Sequence, residues 1–183
     1  MKTSRIVAFD GCVLGLAFGI DNSSIVNSTT KEIVLDGIGR VRRLLSTLAE
    51  DKARLIVPSL VIAEMGAANI EATKQGLVSV SSTNSVEVVP IDTRCAYEWA
   101  ELSRQFLKTL PDGLTPIEVA RQTASARKFD YGILAAARVH RCQVLYASDA
   151  TLRSRAQALN ISCVAVEDLP PPLPEQSDLF AEN

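Results

Sequence analysis

Two acidic residues stand where short apolar runs of the chain end. Asp10 directly follows the run from Ile6 to Phe9. Ser148 and Asp149 lie two and three residues after the run from Val144 to Tyr146. Runs of this length and composition are typical of buried strands. An acid at the carboxyl end of a strand either belongs to a functional site or caps the turn or helix that follows.

Two further acids lie inside apolar, helix-like stretches. Asp130 opens an Ala-rich segment that is too apolar to face water on every side, and Glu64 stands among Val61, Ile62 and Met65. An acid in such surroundings either lies on the one hydrated face of its helix or is held there for a metal ion. Asp130 can also be a helix cap.

The elements that would position these acids alternate along the chain. The predicted strands are Ile6 to Phe9, Leu55 to Val57, Val86 to Val89, Val144 to Tyr146 and Ile161 to Val166. The predicted helices are Cys12 to Phe18, residues 31 to 50, Leu60 to Ala68 with Ser59 as N-cap, a helix capped by Asp92 that runs to about Leu107, Pro116 to Ala126, a helix from Asp130, and Ala150 to Leu159. This alternation predicts an α/β fold, in which helices cover both faces of a parallel sheet. Ligands bind such sheets at the carboxyl ends of the strands, so the four acids can meet in one crevice.

Composition limits what else the chain can be. Its 183 residues suit one domain over residues 1–169, followed by a proline-rich tail over residues 170–183. A net charge of −2 argues against a protein that coats nucleic acid through bulk charge. The basic clusters Arg40 to Arg43, Arg121 to Lys128, Arg138 to Arg141, and Arg153 with Arg155 are interpreted as solvated helix faces.

The four cysteines are scattered without a C-x-x-C pair, so the sequence predicts neither a zinc site nor a disulfide framework. We therefore expect a reduced, cytoplasmic protein. Asp10 interrupts the apolar start of the chain, which argues against a signal peptide. No apolar run approaches the ~18–20 residues of a membrane span.

In four stretches the chain resembles the PIN-domain nucleases, a family that includes the VapC-like toxins of prokaryotic toxin–antitoxin pairs. The stretches are Ile6 to Asp10, Ile56 to Glu64, Asp130 to Ala137 and Leu145 to Asp149. They occur in the family's order and on the matching elements, and the resemblance runs from Arg5 to about Asp168. It implies a PIN-like three-layer fold with a central parallel sheet of about five strands.

The resemblance makes Asp10, Glu64, Asp130 and Asp149 the acidic cluster that holds Mg²⁺ or Mn²⁺. Hard divalent cations take oxygen ligands, and crowded carboxylates without a cation repel one another. The implied activity is metal-dependent hydrolysis of a phosphodiester, with RNA as the expected substrate. Ser148 is expected to assist the metal or phosphate, unless its hydroxyl is a simple cap. Arg127 and Lys128 are the expected phosphate contacts, unless they are merely exposed charges.

Two positions depart from the family pattern. Gly11 and Cys12 follow Asp10 where PIN domains often carry Ser or Thr, and Thr151 stands where many members have a further acid. These departures favour an alternative, a PIN-like scaffold that binds a partner or nucleic acid without catalysis.

The tail suggests another alternative. Gln176, Leu179 and Phe180 lie in a short stretch that resembles the peptides by which bacterial replication and repair proteins dock on the sliding clamp. A tail of this kind favours a nuclease acting on DNA structures, and the competing interpretation is a disordered end with two chance apolar residues. The expected partners are thus RNA or DNA, a cognate antitoxin, the sliding clamp and a second copy of the chain.

Overall fold

The computed structural model describes residues 4–19, 25–27, 30–81, 86–108, 115, 118 and 129–172. Its strands are β1 (Ile6–Phe9), β2 (Arg54–Pro58), β3 (Val86–Val89), β4 (Val144–Tyr146) and β5 (Ser162–Val164). The described helices are α1 (Gly11–Phe18), α2 (Gly37–Glu50), α3 (Ser59–Ala68), α4 (Ile70–Ser81), α5 (Thr93–Leu107), α6 (Asp130–Val139) and α7 (Ala150–Ala158). A short 3-10 helix, Val166–Asp168, follows β5.

The strands form one parallel sheet in the order β3-β2-β1-β4-β5. Val7 in the central strand is aligned with Leu55 of β2 on one side and with Val144 of β4 on the other. Nearly every side chain of β1, β2 and β4 is buried, as expected when helices cover both faces of a parallel sheet. The predicted fold class, an α/β protein with a five-stranded parallel sheet, is therefore confirmed.

Helix α6 is packed tightly against its neighbours. All its side chains from Tyr131 to Ala137 are buried. At Gly132, a Cβ atom would lie 2.6 Å from Leu60 Cδ2 in α3 and 3.1 Å from the Trp99 ring in α5. The missing side chain is what permits this close approach of three helices. The start of α6, where Asp130 lies, is thereby fixed relative to the sheet.

Some predicted boundaries were wrong. Helix α2 begins at Gly37 rather than at residue 31, because Val26 and Ile33 form an antiparallel bridge in the preceding segment. Asp36, in the left-handed conformation at φ 51°, then caps the helix through a hydrogen bond from the Gly39 N–H to its side chain. Strand β5 ends at Val164, and the chain turns into the 3-10 helix rather than continuing the strand to Val166.

The start of α3 also differs from the prediction. Ser59 is the first helical residue rather than the N-cap, and its hydroxyl accepts a hydrogen bond from the Ile91 N–H at 3.3 Å. Helix α4 has no counterpart among the predicted elements. It begins after Asn69, whose side-chain oxygen accepts from the Ala72 N–H at 3.1 Å.

Two arginines of α2 hold the chain that follows β5. Arg40 Nη1 donates to the Leu169 carbonyl, and Arg43 Nη1 donates to the Pro171 carbonyl at 2.6 Å. Residues 170–172 have no regular structure, as predicted. The four cysteines form no disulfide. In the described part of the chain, no helix is long and apolar enough to cross a membrane.

Several predictions fall outside the described residues. They concern nearly all of the helix from Pro116 to Ala126, the phosphate contacts Arg127 and Lys128, and the tail residues Gln176, Leu179 and Phe180.

Candidate active site

The strand order indicates at which ends of the strands a binding crevice is expected. From β1 the chain proceeds to β2 and β3 on one side, whereas β4 and β5 lie on the other side. In open α/β sheets, the loops after two such strands diverge and leave a binding crevice outside their carboxyl ends. Here the two strands are β1 and β4. The residues that follow them are Asp10 and the pair Ser148 and Asp149.

Asp10 is buried at this crevice, with only 3% of its surface exposed. Its Oδ1 accepts a hydrogen bond from the Val13 N–H at 2.7 Å, which caps α1, and its Oδ2 accepts from the Ser148 N–H at 3.1 Å. Burial nevertheless raises the pKa of the Asp10 carboxyl from 3.8 to about 7, and the charge of Asp149 adds to the rise. The site therefore holds the Asp10 side chain in place while leaving its negative charge poorly compensated.

Asp149 is exposed and caps α7. Its Oδ1 accepts from the Leu152 N–H at 2.7 Å. Its negative charge also raises the pKa of Asp130, so Asp149 acts electrostatically on both Asp10 and Asp130. The capping role considered from the sequence is thus real for Asp10 and Asp149. It leaves each carboxylate with further lone pairs for a ligand.

Asp130 and Glu64 form the other part of the cluster. Partial burial raises the pKa of Asp130, although the nearby Arg155 guanidinium opposes the rise. Partial burial and then the charge of Asp130 raise the pKa of Glu64, which is itself exposed. Glu64 also faces the end of β1, because a Cβ atom on Gly11 would lie 3.5 Å from Glu64 Oε2. Charge interactions thus link the four acids in pairs: Asp149 with Asp10, Asp149 with Asp130, and Asp130 with Glu64.

Arg155 is a member of this site that the sequence interpretation missed. Its Nη1 lies 2.5 Å from Asp130 Oδ2, and its guanidinium lies over the rings of Tyr131 and Phe106, at 5.1 and 5.6 Å from their centroids. The interpretation of Arg153 with Arg155 as a solvated face was wrong. Both side chains are largely buried, and Arg153 pairs with Glu167 at 3.2 Å.

A helical-spacing argument could have found Arg155. It stands three residues after the buried Leu152 and next to the buried Ala156, so it lies beside the inward stripe of α7. What the spacing does not reveal is its partner, since Asp130 is 25 residues away.

The donor atoms at this edge suit a hard divalent cation. They are carboxylate oxygens, together with the buried Ser148 hydroxyl, which has no hydrogen-bond partner among the described residues. A buried hydroxyl without a partner is uncommon and suits a ligand or an ion-bound water. In the described geometry, however, no three His, Cys, Asp or Glu side chains are grouped so as to hold one ion. The residue types therefore fit such a cation, whereas the described side-chain positions do not form a complete set of ligands.

Comparison with known proteins identifies the fold. A chain in the crystal structure of VapBC2 from Rickettsia felis, bound to a DNA fragment from their promoter, superposes with a TM-score of 0.54. The two chains are 14% identical, and the match covers 88% of this chain and 98% of that one. No protein-family model and no curated protein matches the sequence. At this identity the likeness concerns the fold, which agrees with the PIN-like architecture that the resemblance implied.

Proposed function

We propose that this protein is a divalent-metal-dependent nuclease with a PIN-like fold. The observation that carries the proposal is the pairwise electrostatic interaction of Asp149 with Asp10 and Asp130, and of Asp130 with Glu64, near the carboxyl ends of β1 and β4. The charge of Asp149 raises the pKa of Asp10 and Asp130, and the charge of Asp130 raises that of Glu64, so ionising these acids together is unfavourable without a cation. Helix capping accounts for Asp10 and Asp149 singly, but not for the placement of Asp130 and Glu64 near them.

The residues at this edge have distinct parts in the proposed reaction. Asp10, Asp149, Asp130 and Glu64 would hold Mg²⁺ or Mn²⁺, which supplies activation of a water and stabilisation of charge on the phosphate. The backbone N–H groups of Val13 and Ser148 keep the Asp10 carboxylate oriented at the centre of the site. The Ser148 hydroxyl is available to bind a water or a phosphate oxygen. The exposed Asp149 leaves the site open toward a polymer substrate.

Single-stranded RNA is the proposed substrate, and the fold neighbour supports a toxin–antitoxin context. That neighbour was crystallised as the VapBC2 complex on promoter DNA. By analogy we propose a cognate antitoxin as a partner of this chain. Sliding-clamp docking through Gln176, Leu179 and Phe180 remains a proposal made from the sequence, and so does a homodimer.

A binding scaffold without catalysis is the second candidate, and three features favour it. Asp130 is engaged by Arg155 in the described geometry, and Gly11 supplies no hydroxyl beside Glu64. A protein of this kind would bind nucleic acid or a partner and leave phosphodiesters intact. Thr151, in place of a further acid, points the same way.

A cleavage assay separates the two candidates. Single-stranded RNA and DNA are incubated with the protein and Mn²⁺, Mg²⁺ or EDTA. Wild type is compared with Asp10→Asn and Asp149→Asn, and with Asp92→Asn as a control for replacement of a helix-capping acid that follows the edge strand β3 and is not one of the four acids. The nuclease predicts metal-dependent cleavage that the first two substitutions abolish and the third leaves intact. Cleavage in EDTA, or active crevice variants, would refute it.

A further inference from the structure

The Arg155 guanidinium is held from three sides. Asp130 accepts a hydrogen bond from it, and it lies over the rings of Tyr131 in α6 and Phe106 in α5. A guanidinium placed over aromatic faces is further stabilised by the negative electrostatic potential of the rings. Only 18% of the Arg155 side chain is exposed, so the cation is a built-in part of the site.

This position creates a competition for Asp130. Asp130 Oδ2 is 2.5 Å from the guanidinium, and Arg155 opposes the rise in the pKa of Asp130. A divalent cation that uses Asp130 must share this carboxylate with Arg155 or replace it as the partner. Arg155, on α7, already supplies a positive charge next to Asp130.

We propose that Arg155 is a positioning residue that sets the affinity of the site for its divalent cation by competing for Asp130. The inference rests on the proposed metal site. In the absence of metal, the Arg155 guanidinium pairs with the Asp130 carboxylate and offsets its negative charge. A divalent cation that binds Asp130 would have to displace Arg155 from this carboxylate or share it with Arg155. The protein thereby binds its cation more weakly than four unopposed carboxylates would.

The chain offers a matched control for this idea. Arg153 lies on the same helix, carries the same charge, and forms a comparably buried ion pair with Glu167 at 3.2 Å. Its ion-pair partner in the described structure is Glu167, whereas that of Arg155 is Asp130. Loss of positive charge near the acids is therefore common to substitutions at both positions, whereas release of Asp130 is specific to Arg155.

The test is a Mn²⁺ titration of the full-length, metal-free protein by calorimetry. Arg155→Met keeps an unbranched side chain over the two rings, and Arg155→Gln is a second variant if the first fails to fold. We expect either variant to bind Mn²⁺ about tenfold more tightly than wild type, a typical size for coupling between neighbouring side chains. Arg153→Met is expected to bind like wild type. Equal tightening in the Arg153 and Arg155 variants would overturn the proposal.

A double-mutant cycle with Asp130→Asn locates the effect. If Arg155 acts through Asp130, Arg155→Met tightens Mn²⁺ binding in the wild-type background and has no effect when Asp130 is already Asn. Tightening that persists in the Asp130→Asn background would overturn the inference. So would an Arg155→Met variant that binds with wild-type affinity.

Asp10→Asn distinguishes failure of this inference from failure of the proposed function. If Asp10→Asn abolishes Mn²⁺ binding while Arg155→Met changes nothing, the metal site stands and the role of Arg155 falls. If neither wild type nor Arg155→Met binds Mn²⁺, both the metal site and the inference fall. If Mn²⁺ binds only when Arg155 is replaced, the competition is supported in its strongest form.

Discussion

The buried Asp10 carboxylate should make the metal-free protein less stable as the pH rises. Burial raises the Asp10 pKa from 3.8 to about 7, so between these values the folded state holds a proton that the unfolded state has lost. At about 1.4 kcal/mol for each pKa unit, ionising Asp10 lowers the free energy of unfolding by about 4 kcal/mol. The loss develops from about pH 4 to about pH 7 and persists above it.

Asp10→Asn removes this titration. The Asn side chain keeps one acceptor oxygen and loses the other, so either the Val13 or the Ser148 N–H loses its partner. An unsatisfied buried donor costs about 1–3 kcal/mol. We therefore expect the variant to be less stable than wild type near pH 4 and more stable by about 1–3 kcal/mol at pH 8. The two stability curves should cross.

Urea unfolding followed by circular dichroism, in EDTA from pH 4 to pH 9, measures both curves. Asp92→Asn is the matched control, because Asp92 also caps a helix after a strand. The pKa of Asp92 is lowered, chiefly by the Cys95 N–H, so its stabilisation is lost only as the pH falls through that low pKa. This control should therefore follow the wild-type slope from pH 5 to pH 9. Parallel curves for wild type and Asp10→Asn would refute the reasoning.

Three further predictions concern packing and the site. Gly132→Ala should lower the free energy of unfolding by about 1–3 kcal/mol through overpacking, whereas Gly37→Ala, at a roomier position, should be nearly neutral; urea unfolding measures both. Asp149→Ala should lose a helix cap at about 1 kcal/mol, while Asp149→Asn should keep the cap, and both should weaken Mn²⁺ binding in calorimetry. Ser148→Ala removes a buried hydroxyl without a hydrogen-bond partner among the described residues, so the free energy of unfolding of the metal-free protein should stay equal or rise. The same variant should bind Mn²⁺ more weakly. A loss of more than about 1 kcal/mol in the free energy of unfolding would contradict this.

Local signals in the sequence were sufficient for most elements. Short β-rich runs marked all five strands, and Asp92 was correctly identified as the cap of α5. The failures have physical causes. Helix α4 was missed because it is a mixture of polar and small residues with a weak apolar stripe. The start of α2 was misplaced because a bridge between Val26 and Ile33 overrides the helical spacing of the residues before it.

The candidate site could be predicted from the sequence only in part. Strand ends and helix starts placed Asp10, Asp130 and Asp149 at one edge of the sheet without knowledge of the strand order. The hydrogen bond between Asp10 and Ser148 joins residues that are 138 positions apart, and the ion pair of Asp130 with Arg155 connects helix α6 to helix α7. Such pairings depend on tertiary packing, so local periodicity carries no information about them.

The central position of β1 has a consequence for synthesis of the chain on the ribosome. β1 is made first, yet one of its two neighbouring strands, β4, is made only after residue 143. Until then the N-terminal part can form only the β1–β2–β3 portion of the sheet, so we expect one side of β1 to stay open and Asp10 to stay hydrated. The Ser148 N–H, which donates to Asp10, also comes after β4. We therefore expect the unfavourable burial of Asp10 to occur late in folding, when most of the apolar core is available to offset it.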